Sequence, residues 1–156
     1  MINQEEIKEA LLDNKYISEM DFLKSKSYKS KSYQIIFSCK LEVEDRWIPI
    51  IVGVPNNWEL NLFDIYWEGE NSFIPHLERN GKFCLFDLEG SLIDVNFAGL
   101  INQCINRARD IVIKGETGEN KLDFLEEFDS YFLLLDNLYF AEVVMPVEKP
   151  IDFIIF

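Results

Sequence analysis

The chemistry-bearing residues of this chain are few, and two of them stand close together: His76 and Cys84, the second just past an Asn80-Gly81 pair. A thiol is the natural carrier for acyl transfer, because its thiolate is intrinsically nucleophilic and its thioester stays reactive toward amines. Glycine in the turn lets backbone amides approach a reacting carbonyl at Cys84. His76 lies upstream across that turn, and a neutral imidazole acts there either as a donor or as a base, so its role stays open. Asp87 is a third candidate, a carboxylate that would orient or deprotonate an incoming lysine. A lone cysteine in an apolar stretch such as Lys82-Phe83-Cys84-Leu85-Phe86 is more often a buried small hydrophobe. A lone histidine after proline is likewise more often a loop hydrogen-bonder. Only the spacing, within a fitting order of elements, lifts the joint case.

Phosphate-loop, disulfide and metal-site roles for the cysteines are excluded. Cys84 and Arg107 are too far apart for a phosphate-binding Cys-loop-Arg motif, and no glycine-rich phosphate cradle occurs. Cysteines at 39, 84 and 104 make neither a disulfide framework nor a zinc knuckle, and one histidine cannot build a histidine-rich metal site. No metal or cofactor is expected. Cys39 falls on a strand face and Cys104 on a helix stripe, both as core residues.

The elements that must position the loop follow from periodicity. Residues 4–13 place Ile7, Ala10 and Leu11 on one helical face, with acids in the first turn. Residues 24–33 (KSKSYKSKSY) are a polar near-repeat, either a basic patch for an acidic partner or, more simply, a solvated loop or frayed strand start. The clearest strand is 33–44, where Ile35, Phe37, Cys39, Leu41 and Val43 alternate with polar residues. Strands are also predicted over 47–54, with Pro49 suggesting an edge or bulge, over 60–67, and over 72–77. From Phe97 the period changes to helical through Ile101, Cys104, Ala108 and Ile111, with Asp94 or Asn96 as cap and Gly115 as terminator. A short helix over 121–132 and extended pieces at 138–144 and 151–156 complete the chain. The expected class is α+β: N-terminal helix, four-stranded antiparallel meander, site loop, long helix and C-terminal helix.

Here the loop acquires a resemblance. Ile74-Pro75-His76 through Asn80-Gly81 to Phe83-Cys84-Leu85 resembles the active-site stretch of ubiquitin-conjugating enzymes, whose pattern is His-Pro-Asn, an Asn-Gly turn, then Ile-Cys-Leu. The Pro, the Asn-Gly turn, the Cys and the Leu match without gaps, and the element order matches over residues 1–113. Ile74 stands at the motif's His and His76 at its Asn. A Pro-His loop is similar to that of bacterial ubiquitin-conjugating-like proteins of cyclic-oligonucleotide antiphage signalling operons. The resemblance implies a UBC-like fold over 1–156, with 114–156 a divergent extension, in the short stand-alone form. It implies a thioester on Cys84 and, by analogy with the family Asn, an oxyanion hydrogen bond from His76, worth on the order of 3–4 kcal/mol for a good donor. The implied partner is a protein whose C-terminus is carried, such as a cyclic-dinucleotide synthase-like nucleotidyltransferase, and the implied setting is antiviral defence.

Composition bounds the rest. A length of 156 residues suits one domain, and 48% hydrophobic content with thirteen Phe excludes disorder. Acidic residues outnumber basic ones 28 to 15, so the surface at −13 repels phosphate backbones and anionic lipid; neither nucleic acid nor membrane is an expected partner. The opening Met1-Ile2-Asn3-Gln4-Glu5-Glu6 has no basic and no apolar leader region, so a cytoplasmic location is expected. The apolar end Ile151–Phe156 reads as an edge strand or a partner-facing surface, which suggests a homodimer or a heterocomplex. Two competing classes remain: a catalytically silent UBC or RWD-like interaction module, which would typically lack the loop cysteine, and a thiol hydrolase using Cys84 and His76.

Overall fold

Two nine-residue strands, β4 (Ile35–Val43) and β5 (Arg46–Val54), form the centre of the architecture in a computed structural model that describes residues 2–69, 74–86, 96–120 and 122–123. They pair in full register from Ile35↔Val54 to Val43↔Arg46, around a tight turn in which Glu44 takes a left-handed φ of 52°. The sheet order is β1-β4-β5-β6, all antiparallel, with β1 at Ile17–Phe22 and β6 at Asp64–Trp67. From Ile50 to Val54 β5 is buried on both faces, and there it reads as an unbroken apolar run.

Three expectations are corrected here. The fourth strand of the sheet is residues 17–22; of the expected 72–77, the described residues 74–77 form only a single bridge, Leu77 to Phe83. The β1 signal was hidden because Glu19 sits in a register shift at φ 51°, which breaks the alternation. Pro49 marks neither an edge nor a bulge, for β5 lies inside the sheet and Pro49 pairs with Lys40. Its carbonyl accepts from the Glu68 N–H at 2.9 Å, so its missing N–H also points to that side and forgoes only the reciprocal bond to Glu68, just past the end of β6. The long helix α2 spans Phe97–Thr117 and ends on Gly118 (φ 72°), with Gly115 inside it.

Both helices lie on one face of the sheet. α1 (Gln4–Leu11) starts at Asn3, whose side chain and that of Glu6 satisfy each other's backbone N–H groups, and it buries Ile7 and Leu11. Asn96 caps α2 by accepting from the Ala98 N–H at 3.0 Å. The α2 stripe of Leu100, Ile101, Cys104, Ala108 and Ile111 packs with α1 against Phe37, Cys39, Leu41, Ile50 and Val52. The opposite face carries a smaller cluster of Tyr33, Ile36, Ile51 and Tyr66. Within the Lys-Ser-Tyr repeat, β2 (Ser27–Tyr28) and β3 (Lys31–Ser32) form a short ribbon, and Tyr28 packs on that cluster. The result is an α+β, UBC-like fold. The expected helix over 121–132, save residues 122–123, and the extended pieces at 138–144 and 151–156 lie outside the described residues.

Candidate active site

Loop 74–86 runs beside β6 and doubles back on itself. The Trp67 N–H donates to the Gly81 carbonyl at 2.8 Å and the Phe83 N–H to that of Ile65 at 2.9 Å, which fastens the loop to the sheet. Across the turn the Glu78 N–H donates to Lys82 and the Cys84 N–H to His76, both at 2.8 Å. Gly81 takes φ 82°, a conformation that costs a side-chain-bearing residue about 1 kcal/mol or more. Asn80 braces the turn by accepting the Lys82 N–H on Oδ1 at 2.7 Å. Alternation then does the placing: Leu77, Phe83 and Leu85 are buried, so Cys84 is turned outward between two buried neighbours.

Of the three thiols only Cys84 is exposed. Burial pushes those of Cys39 and Cys104 up to about 12, which keeps both protonated and inert. Cys84 Sγ lies 3.8 Å from Glu78 Oε1, and the other oxygen of that carboxylate accepts from the Asn80 amide at 3.1 Å. The sulfur opens onto a cleft of about 310 Å³ walled by Leu60, Leu62, Phe63, Leu85 and Phe86. Trp58 and Phe63 hold that wall by meeting Phe97, at the start of α2, edge-on at 5.3 and 5.5 Å. From the middle of α2, Arg107 donates to the Leu85 carbonyl at 3.1 Å.

Beneath the turn sits Asp64, the one buried charged residue among those described. Its Oδ2 accepts from the Tyr33 hydroxyl at 2.8 Å and faces Lys31, and its Oδ1 lies 3.1 Å from Lys82 Nζ. Burial by itself would raise the Asp64 carboxyl, but Lys31, Tyr33 and Lys82 together hold it below its ordinary range. Lys29 donates to the Asn80 carbonyl. Two lysines of the near-repeat are thus engaged in bracing the turn and Asp64.

His76 and Cys84 are brought together through the main chain. His76 adopts a left-handed φ of 64°, uncommon outside glycine, and its carbonyl receives the Cys84 N–H. Its ring faces elsewhere as well: Nε2 is 3.1 Å from Asp123 Oδ2, just beyond α2. Asp87 lies outside the described residues. Glu78 escaped the sequence reasoning, although the signal was available: pairing across Asn80-Gly81 sets 78 opposite 82 and diagonal to 84. Among the described residues no group of histidine, cysteine and carboxylate side chains is arranged to hold a metal ion. No helix among them is long and apolar enough to cross a membrane.

A helix-backed antiparallel sheet that presents a single outward thiol on a glycine-turned loop belongs with the ubiquitin-conjugating-like proteins. Residues 13–141 match prokaryotic E2 family B, and the chain belongs to that family of E2-like conjugating transferases. No curated protein and no solved structure matches the chain.

Proposed function

We propose that Cys84 carries an acyl group as a thioester, taking the activated C-terminal carboxylate of a protein partner and handing it to an amine. The observation that supports this best is the outward Cys84 thiol between buried Phe83 and Leu85, in a member of an E2 family. In the charging step the Cys84 thiol gives up its proton and Sγ adds to the activated carbonyl; the activating group leaves with the electron pair of its bond to that carbon, and a C–Sγ bond remains. In discharge the amine nitrogen forms a C–N bond as C–Sγ breaks; nitrogen gives up a proton and the thiol is restored. The cleft wall of Leu60, Leu62 and Phe86 offers an apolar bed for the carried chain next to the sulfur.

In the same reading His76 stabilises the oxyanion or acts as base, and Asp87 orients the incoming lysine. The Pro75-His76 pair supports a place among bacterial antiviral conjugation systems, in the cytoplasm, with a cyclic-dinucleotide synthase-like nucleotidyltransferase as the carried protein. Intact mass of the chain co-expressed with its genomic neighbours, without reductant, tests the core of this. The expected result is a protein-sized adduct that hydroxylamine releases and that Cys84→Ala lacks; its mass names the cargo. If wild type stays unmodified while still co-purifying with a neighbour, the carrier reading fails and a silent interaction module replaces it.

A further inference from the structure

A thioester carrier must keep its own amines from stealing the cargo, and one lysine is dangerously placed. Lys82 is two positions before Cys84 and on the same face of the loop, because Phe83 between them is buried. Both side chains converge on one oxygen: Glu78 Oε1 lies 4.0 Å from Lys82 Nζ and 3.8 Å from Cys84 Sγ. An amine tethered so close attacks with an effective concentration that can reach on the order of 10⁵ M, far above any free acceptor.

We propose that Lys82 is a latent internal acceptor for the acyl group on Cys84, and that Asp64 holds it out of the reaction. This rests on the carrier reading. The anchor is firm, since the Asp64 side chain is only 7% exposed and its Oδ1 sits 3.1 Å from Nζ, while Tyr33 and Lys31 fix its other oxygen. Burial would draw the Lys82 proton off, but the hydrogen bond to Asp64 and the charges of Asp64 and Glu78, with a smaller contribution from Tyr66, raise its hold on that proton. An ammonium has no lone pair to offer a carbonyl. Transfer would require Nζ to lose one proton to solvent and add to the acyl carbon. The C–N bond then forms as C–Sγ breaks, and a second proton from nitrogen restores the Cys84 thiol.

The inference is tested on the full chain, acetylated on Cys84 by exchange with a small acetyl thioester and then desalted. In wild type the acetyl group stays on Cys84 and hydroxylamine removes it. In Asp64→Asn it becomes hydroxylamine-resistant and maps to Lys82, and adding Lys82→Arg abolishes that transfer. Retention on Cys84 in Asp64→Asn equal to wild type overturns the inference, and so does rapid transfer to Lys82 in wild type. If Asp64→Asn fails to fold, competitive acetylation of native wild type by an amine-reactive acetyl ester decides. Lys82 should react several-fold more slowly than Lys29, whose side chain is similarly exposed at 32% against 30% but whose acidic partner Glu68 is itself 40% exposed where Asp64 is 7%; equal rates overturn the inference. A Cys84 that takes no acetyl group from the thioester overturns the carrier reading itself, an outcome distinct from acetylation with equal retention.

Discussion

Gly115→Ala should destabilise this protein, although the same change in most helices does the opposite. Inside a helix alanine is favoured over glycine by about 1 kcal/mol. At position 115, however, an added Cβ would lie 2.5 Å from the Cβ of Ile74 and 2.8 Å from its Cγ2. Favourable carbon contacts sit at about 3.5–4.0 Å, so the methyl intrudes by roughly 1 Å. Ile74 cannot rotate its own Cβ away, so relief requires the loop backbone to move, and overpacking of this kind costs about 1–3 kcal/mol. The net effect is a loss of up to about 2 kcal/mol. For a chain of this length that lowers Tm by up to about 6 °C. Ile74 is two residues before His76, whose carbonyl holds the Cys84 amide, so the strain passes straight into the site loop. Thermal unfolding by circular dichroism, paired with the rate of Cys84 alkylation by iodoacetamide, reads both effects. An unchanged or higher Tm, with unaltered alkylation, would show that the loop yields freely and that α2 does not set its position.

Two further outcomes follow from the buried groups. Iodoacetamide on the native chain should label Cys84 alone, as mass mapping would show, with Cys39 and Cys104 reacting only after denaturation, because burial holds their thiols protonated. Asp64 has a carboxyl depressed in the folded state, so its contribution to stability is present above the ordinary aspartate value near 3.9 and is lost as pH falls through the lower folded value. Urea denaturation midpoints should therefore fall less steeply on acidification for Asp64→Asn than for wild type, and parallel acid limbs would contradict the network around Asp64.

Strand periodicity made β4 and β5 plain, since a half-buried strand alternates and a doubly covered one does not. Helical periodicity made α2 equally plain, down to its Asn96 cap. What stayed hidden depends on partners distant in sequence. β1 is an edge strand whose bulge at Glu19 scrambles its pattern, and nothing local distinguishes it from a loop. Gly115 looked like a terminator because the need for a glycine there comes from Ile74, across the fold; Gly118 performs that function. The lysine-rich repeat read as a loop or frayed strand, yet Lys29 and Lys31 are spent on Asn80 and Asp64. At the site, the apolar residues flanking Cys84 by themselves favoured a buried thiol, and its outward turn follows from the alternation that buries Phe83 and Leu85. The place of the Glu78 carboxylate was available from pairing across the Asn80-Gly81 turn, whereas the ring contact of His76 with Asp123 was not, because it required knowing that the chain beyond α2 returns to the loop.

The order in which the chain leaves the ribosome gives the α2 anchorage a temporal meaning. Three of the four strands of the central sheet follow one another between residues 35 and 67, so they can zip together early. Cys84 emerges soon afterward, but the contacts that set its loop come from later residues: Arg107 on the Leu85 carbonyl, Gly115 against Ile74, Asp123 against the His76 ring. Synthesis runs at about 5–20 residues per second, so the sulfur exists for some seconds before the geometry around it does. A nascent or truncated chain thus carries the thiol without the loop geometry around it, which arrives only with the last turns of α2 and the residues that follow.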